Sequence, residues 1–184
     1  MNPRTVDVQR AQAQWQFDGR SRPEFAAAAG TGQESVWDYP RPPKLVDDGR
    51  CIEVFADGVR LARTVHAVRL LETANPPTFY IPANDVRREL LKDGQGETVC
   101  EWKGLARYWS LVMGNVTIRN VAWTYSQPFT AFEAIAGHLA FYPSKLECCI
   151  NGERVASQPG GLYGGWVTAD IVGPFKGVPG TEWW

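Results

Sequence analysis

The stretch from Thr98 to Ser110 holds the densest run of reactive and aromatic side chains in the sequence. Lys103 follows Trp102 in this run, at a position that reads as a tight turn between two strands. A turn lysine beside indole rings can bind an anion, or can act as a base if it is desolvated. Arg107 offers a further anion contact. This stretch is therefore the first candidate for a binding site, against the simpler interpretation that its lysine is only solvated.

Tyrosines and a histidine supply further groups for acid–base chemistry. Histidine is the side chain type that changes charge near neutral pH, so His138 is the predicted proton-transfer group. The alternative is a core histidine whose ring is satisfied by a backbone carbonyl. Tyrosine hydroxyls can stabilise an oxyanion, although most such tyrosines pack with a satisfied polar tip. The predicted catalytic residues are His138, Lys103, Tyr108 and Tyr163.

Two further segments are expected to line the same pocket. Glycines flank two large rings in the range Gly160–Trp166. The run could be a ligand-binding loop, because glycines permit close approach of the backbone to a ligand. The alternative is a bulged strand in which the glycines make room for aromatic neighbours. Lys176 repeats the aromatic-Lys-Gly pattern of Lys103, and Glu72 ends an apolar strand before a proline-rich bend. The predicted ligand-binding residues are Glu72, Trp102, Arg107, Trp109, Tyr142, Trp166 and Lys176.

Neither a metal site nor a cofactor is predicted. Cys100, Cys148, Cys149 and His138 could converge on zinc, but structural zinc sites usually present paired ligands roughly two to four residues apart. The chain has only an adjacent cysteine pair, which in a strand would point to opposite faces. A nucleophilic Cys100 with His138 as its base is a further alternative, for which no orienting third residue can be named.

Composition and charge restrict the class of protein. The chain has 184 residues, of which 44% are hydrophobic and 21% charged, and this fits one domain with a sizeable core. Its net charge is -1, so there is no electrostatic reason to expect a nucleic acid or an anionic membrane as partner. No apolar run approaches the roughly 20 residues of a membrane span. With cysteines expected to be reduced, the sequence predicts a soluble, cytoplasmic monomer or homodimer.

Proline, glycine and turn dipeptides predict many short strands. Asp57-Gly58 and Asn151-Gly152 each separate two strand-like runs, as two-residue hairpin turns do. Asn75-Pro76-Pro77 predicts a bend between two further strands, and short helices are predicted over Asp85–Leu91 and Phe129–Ala136. The predicted fold is mainly β, or α+β with two short helices, arranged as a small β-barrel or a two-sheet sandwich built from hairpins.

Residues 1–33 are predicted to form an N-terminal arm, and residues 34–184 a single globular β domain. The arm offers few large apolar side chains to a core. A short helix is predicted from Val6 to Trp15, and Trp15 and Phe17 are the rings expected to anchor the arm on the body. The extended, proline-rich segment Ser35–Pro43 then leads into the domain.

Four phrases of the sequence occur in order and together resemble one family. They are Ser35–Pro43, Cys100–Gly104, Gly137–Pro143 and Gly160–Val167. They are similar to the domain of unknown function family 427, with a likeness that runs from about residue 34 to residue 180. The resemblance places His138 inside a family motif. A nucleotidyltransferase-like label attached to the family implies nucleotide chemistry, but the sequence lacks both paired Asp residues after Gly-Ser and a phosphate-binding glycine loop.

These observations lead to one main hypothesis and two alternatives. The main hypothesis is a small-molecule-binding domain in which Lys103, Tyr108, His138 and Tyr163 meet a small polar or anionic organic ligand in an aromatic-lined pocket. As an enzyme it would perform acid–base chemistry without a cofactor, with His138 moving the proton and Lys103 or Arg107 holding an anionic group. The alternatives are a nucleotidyltransferase-like enzyme and a non-catalytic protein-interaction module with exposed Trp and Tyr.

Overall fold

The protein is mainly β in the computed structural model, which describes residues 3–184 and their side chains from Val8 onward. The first two residues of the predicted arm lie outside this range. Helix α1 (Pro3–Gln12) comes first. Over the described residues the strands are β1 (Glu34–Ser35), β2 (Lys44–Asp48), β3 (Ile52–Ala56), β4 (Val59–Thr64), β5 (Ala67–Glu72), β6 (Asn75–Ile81), β7 (Leu91–Cys100), β8 (Gly104–Met113), β9 (Val116–Thr124), β10 (Leu139–Phe141), β11 (Glu147–Ile150), β12 (Glu153–Arg154), β13 (Ala156–Ser157), β14 (Trp166–Val167) and β15 (Ile171–Val172).

Two antiparallel sheets form a sandwich. The larger sheet has the strand order β2-β5-β6-β10-β9-β8-β7, and the smaller has the order β12-β11-β3-β4. Two short pairings, β1 with β15 in parallel and β13 with β14 antiparallel, complete the described strands. Both sheets are open, so the structure confirms the two-sheet sandwich and not the closed barrel. None of the helices in residues 3–184 is long and apolar enough to cross a membrane.

The predicted hairpin turns are confirmed. Asp57 and Gly58 have φ values of 47° and 74°, and Asn151 and Gly152 have φ values of 50° and 82°, as such turns require. The bend predicted at Asn75-Pro76-Pro77 is displaced. The chain reverses just before it, where Ala74 has a φ of 67°, and both prolines lie inside strand β6.

The helices predicted inside the domain are short 3-10 segments. Asp85–Leu91 was expected to be one helix, but the chain forms 3-10 turns at Ala83–Asp85 and Arg88–Leu90, and Leu91 already begins β7. The second helix is a 3-10 segment at Thr130–Ile135, which buries Phe132 and Ile135 as its sequence predicts. Phe132 has non-helical backbone angles inside this segment, so here too each continuous stretch is too short for the repeating hydrogen bonds of an α-helix.

The larger sheet buries both of its faces. One face packs against the smaller sheet through a core that contains Ile52, Val54, Leu61, Phe79, Ile81, Leu111 and Phe141. The opposite face carries a second cluster of Val68, Leu70, Tyr80, Ala106, Trp123, Tyr125, Phe132, Ile135 and Ala140. Adjacent residues of a strand point to opposite faces, which separates Phe79 and Ile81 from Tyr80. The candidate site lies on this second, aromatic face.

The described part of the arm and the C-terminus both pack on the body through aromatic rings. The Phe17 ring lies 5.2 Å from the Trp37 ring, and the Phe25 ring stacks on Trp184 with centroids 4.9 Å apart. Trp37 is fully buried, and its indole N–H donates to the Pro174 carbonyl at 3.0 Å. The arm is therefore held against the domain, and the C-terminal tryptophan folds back on the same cluster.

Candidate functional site

A cavity of about 310 Å³ opens on the aromatic face of the larger sheet. Its walls come from the sheet, from the turn between β7 and β8, from the arm and from two C-terminal loops. The lining residues are Trp15, Leu70, Glu72, Asn75, Pro76, Thr78, Tyr80, Thr98, Val99, Cys100, Glu101, Trp102, Lys103, Ala106, Tyr108, Trp123, Tyr125, Tyr142, Gln158, Leu162, Tyr163, Gly164 and Lys176. Small-molecule sites range from about 300 to 1,000 Å³, so this cavity has the size of a compact ligand site.

The register of four strands builds the floor of the cavity. Tyr80 of β6 lies opposite Ala140 of β10, Ala140 lies opposite Trp123 of β9, and Trp123 lies opposite Tyr108 of β8. Residues in such a row share one face of the sheet. Because Ala140 is small, the rings of Tyr80 and Trp123 meet edge to face across it, with centroids 6.4 Å apart. The row therefore forms an aromatic floor.

The turn between β7 and β8 brings Lys103 to this floor. Gly104 pairs with Cys100 and has a φ of 97°, a backbone conformation that favours glycine. The Lys103 carbonyl accepts a hydrogen bond from the Phe129 amide at 3.1 Å, which fixes the turn against the following segment. Lys103 is only 6% exposed, in contrast to the solvated turn lysine that composition alone would favour.

The Lys103 ammonium is the positive centre of the cavity floor. Burial disfavours its charge, whereas the side chains of Cys100 and Tyr80 and the Glu72 carboxylate favour it, and the net effect is a raised pKa of Lys103. Its Nζ also lies 6.0 Å from the centre of the Tyr125 ring. Burial raises the pKa of the Cys100 thiol, so at neutral pH the pair consists of an ammonium and a neutral thiol.

Lys176 lies in the part of the wall that carries Trp15 and Tyr163, and it is 1% exposed. Its Nζ donates to the Glu182 carbonyl at 2.7 Å, lies 3.6 Å from the centre of the Trp15 ring and lies 5.2 Å from the Tyr163 ring. Burial lowers the pKa of Lys176 to about 8, and the nearby Arg41 guanidinium acts in the same direction. Both protonation states of Lys176 are therefore accessible near neutral pH.

Glycines allow the loop that carries Tyr163 to reach the cavity. A Cβ on Gly164 would lie 2.2 Å from the Trp123 ring, and a Cβ on Gly160 would lie 1.8 Å from the Gly177 carbonyl oxygen. The first contact presses the loop onto the cavity floor, and the second joins it to the loop of Lys176. The glycine-rich run is a loop and not a bulged strand: it lines the cavity, and its glycines make room for neighbouring groups.

Glu72 is held by Arg41 at the cavity edge. Arg41 Nη2 lies 3.4 Å from the Glu72 carboxylate, and the Arg41 side chain is 2% exposed. The guanidinium also donates to the Phe17 carbonyl at 2.8 Å and to the Thr73 carbonyl at 2.8 Å. Glu72 is thus part of an ion pair that ties the arm to strand β5, in addition to lining the cavity.

The cavity phenols remain hydrogen-bond donors at neutral pH. Burial raises the pKa of Tyr80 to about 12 and that of Tyr163 to about 12. Burial likewise raises the pKa of Tyr142 and of Tyr125. The hydroxyl of Tyr108 lies 2.8 Å from Thr98 Oγ1. A group that bears negative charge would therefore meet neutral donors and a lysine ammonium in this cavity.

The structure brings seven of the predicted site residues to the cavity. They are Lys103, Tyr108, Tyr163, Glu72, Trp102, Tyr142 and Lys176. It does not bring His138 there, so the predicted meeting of His138 with Lys103, Tyr108 and Tyr163 is wrong. His138 precedes the short strand β10, its amide donates to Ile135, and its Nδ1 lies 3.3 Å from the Ala136 carbonyl oxygen. His138 is absent from the residues that line the cavity.

Three predicted ligand contacts also lie elsewhere. Arg107 is exposed, forms an ion pair with Glu97 at 2.9 Å and borders a separate cavity of about 230 Å³. Trp109 packs against the core between the sheets. Trp166 is fully buried in that core, where its indole N–H donates to the Phe141 carbonyl at 3.1 Å. Arg107 and Trp109 flank Tyr108 in one strand, and therefore point away from the face that Tyr108 occupies.

Several cavity residues were not predicted from the sequence. Tyr80, Trp123 and Tyr125 belong to strands whose pairing order is not encoded locally. Trp15 comes from the arm, where Gln12 Nε2 donates to the Glu101 carbonyl at 2.8 Å and so joins helix α1 to the turn of the cavity lysine. Among the residues with described side chains, no group of three or more His, Cys, Asp or Glu is arranged to hold a metal ion.

Fold and site define the class of protein: a β-sandwich whose larger sheet carries a donor-rich, aromatic-lined cavity with two buried lysines. The chain belongs to the domain of unknown function family DUF427, whose model matches residues 44–152. This confirms the family that the sequence resembles. A comparison with curated proteins finds no match to the chain. Lys103, Tyr108 and Glu72 lie inside the matched range, whereas Trp15, Tyr163 and Lys176 lie outside it.

Proposed function

We propose that this domain binds a small organic anion in the cavity, with Lys103 as its principal charged contact. The observation that carries the proposal is the buried position of Lys103 on an aromatic floor within a cavity of about 310 Å³. A desolvated ammonium attracts an anion more strongly than a solvated one does, because the local dielectric constant is lower. The neutral hydroxyls of the cavity tyrosines add donors for the same anion.

We extend the proposal to acid–base chemistry in the same cavity, with Lys176 in the proton-transfer role first given to His138. Its pKa of about 8 makes both the acid and the base form available near neutral pH. Lys103 would hold the anionic group, and the hydroxyl of Tyr163, which borders the Lys176 side of the cavity, would stabilise developing negative charge. This is a proposal for an enzyme of small polar or anionic substrates.

The two alternative functions have weaker support. A nucleotidyltransferase would use paired carboxylates to hold magnesium, but of the acidic residues that line the cavity Glu72 is engaged by Arg41. A protein-interaction module would present its rings on an exposed face, whereas Tyr80, Trp123 and Tyr125 are buried around a concavity. The four cysteines are free thiols, which supports a place in the reducing cytoplasm as part of the same proposal.

A thermal-shift screen of small metabolites tests the proposal. We compare the natural protein with Lys103→Met, which removes the charge and keeps the length of the side chain, and with His138→Ala as a matched control outside the cavity. We expect one class of anions to raise the melting temperature of the natural protein and of His138→Ala, and to have little effect on Lys103→Met. Equal stabilisation of all three proteins would overturn the assignment of Lys103.

A further inference from the structure

The walls of the cavity favour a flat, unsaturated ligand. Eight of the lining side chains are aromatic: Trp15, Tyr80, Trp102, Tyr108, Trp123, Tyr125, Tyr142 and Tyr163. Several of them already contact one another edge to face or at a tilt, as in the pair Trp123 and Tyr142, whose centroids are 4.5 Å apart. A planar ring can stack on such faces or meet their edges, whereas a saturated chain gains only the burial of its surface.

The polar groups of the cavity favour an acceptor of hydrogen bonds. The Lys103 ammonium and the neutral phenols can all donate, whereas Glu72, an acceptor at the edge, is engaged by Arg41. The indole nitrogens of Trp15 and Trp102, two further lining residues, are buried and lack a hydrogen-bond partner among the described residues. A buried donor without a partner is unfavourable, so a ligand that reaches these rings gains by bringing acceptor oxygens.

The charges limit the ligand to a single negative charge. Lys103, Lys176 and Arg41 are opposed by Glu72 and Glu101, which leaves an excess of one positive charge around the cavity. Lys176 donates one hydrogen bond to the Glu182 carbonyl and lies over the Trp15 ring, so we assign the carboxylate to Lys103 and leave the proton-transfer role to Lys176. No arginine is among the lining residues, so a phosphate dianion would find no guanidinium fork and an excess of only one positive charge.

From these walls, donors and charges we infer that the ligand class of this cavity is a planar aromatic carboxylate. The inference rests on the proposed function and narrows it. The carboxylate contacts Lys103 and the phenol hydroxyls on the floor, and the ring lies among the aromatic side chains toward Tyr163. The volume of about 310 Å³ accommodates one or two fused rings and excludes a dinucleotide.

Calorimetric titration with matched compounds tests the inference. The probes are 2-naphthoate, 2-naphthalenemethanol, which lacks the charge, and decahydro-2-naphthoate, which keeps both rings and lacks their planarity. We expect the natural protein to bind 2-naphthoate at least about tenfold more tightly than either of the others. The preference for 2-naphthoate over the alcohol should disappear in Lys103→Met and persist in His138→Ala. The preference for the planar ring should shrink in Tyr163→Leu.

Each contrary result has a separate meaning. If decahydro-2-naphthoate binds as tightly as 2-naphthoate and its binding depends on Lys103, the aromatic class is overturned and the proposed anion site stands. If the alcohol binds as tightly as 2-naphthoate, the carboxylate is overturned. If neither carboxylate binds the natural protein, both the inference and the proposed function are overturned. The affinities of the natural protein for the three compounds distinguish these outcomes even if Lys103→Met fails to fold. In that case Lys103→Gln provides the uncharged variant.

Discussion

Replacing Lys176 by methionine should change how the stability of the protein depends on pH. The pKa of Lys176 falls from an ordinary value of 10.5 to about 8 because the side chain is buried. Between these two values the unfolded chain binds more protons at this position than the folded chain, so stability rises with pH. The full difference in pKa corresponds to roughly 3 kcal/mol in the free energy of unfolding. Of this, about 1 kcal/mol is gained as the pH rises from about 7 to about 9.

Urea unfolding followed by tryptophan fluorescence measures this effect. We expect the free energy of unfolding of the natural protein to gain about 1 kcal/mol relative to Lys176→Met between about pH 7 and about pH 9. The quantity to compare is the difference in the free energy of unfolding between the two proteins. Burial raises the pKa values of the Cys100 and Cys148 thiols, so their titration lowers stability as the pH rises, but it does so equally in both proteins. A difference that stays constant with pH, or changes in the other direction, would refute a depressed pKa at Lys176.

Two further predictions concern the walls of the cavity, and urea unfolding checks both. Gly164→Ala should lower the free energy of unfolding by about 1–3 kcal/mol, because the added Cβ would lie 2.2 Å from the Trp123 ring. The control Gly49→Ala should be neutral, because its added Cβ would have no described atom within 4 Å. Equal stability of the two variants would contradict the close packing. Arg41→Leu should lower the free energy of unfolding by about 3–5 kcal/mol, because it leaves the Glu72 carboxylate unpaired. The control Arg20→Ala removes only the exposed ion pair with Asp18 and should have little effect on stability. Similar losses in the two variants would contradict a special contribution of the buried pair.

Features that depend on a few neighbouring residues could be predicted from the sequence. The dipeptides Asp57-Gly58 and Asn151-Gly152 specify their turns locally, because few other residues adopt positive φ at both positions. The hairpin around Lys103 follows from the same kind of local information. The expected helix at Asp85–Leu91 failed because a capping residue and suitable charges do not outweigh the pairing of Leu91 with β8.

The alternation of strand residues could have corrected part of the predicted site. Tyr108 reaches the cavity, and its neighbours Arg107 and Trp109 must then face the other side of β8, so the three could not have shared one pocket. His138 was chosen for its chemistry and its place in a family motif. Its local contacts are with the backbone of Ile135 and Ala136, and its chemistry alone does not reveal whether the fold brings it to the cavity.

The convergence of distant segments could not be derived from the sequence alone. Trp15, Lys103 and Lys176 come from the arm, from a central hairpin and from a C-terminal loop, and only the tertiary fold brings them to one cavity. Local patterns specify turns and strand faces, whereas the order of strands in a sheet depends on the packing of the whole chain. The order β6-β10-β9-β8, which places Tyr80 and Trp123 in one row, is such a case.

A crystal structure of the protein with 2-naphthoate tests the central claim most directly. We predict that the ligand occupies the aromatic cavity with a carboxylate oxygen within about 3.2 Å of Lys103 Nζ. We also predict that its ring lies against the side chains that line this face of the larger sheet, with Tyr163 in contact. A ligand bound at the protein surface, or one in the cavity whose carboxylate points away from Lys103, would contradict the account.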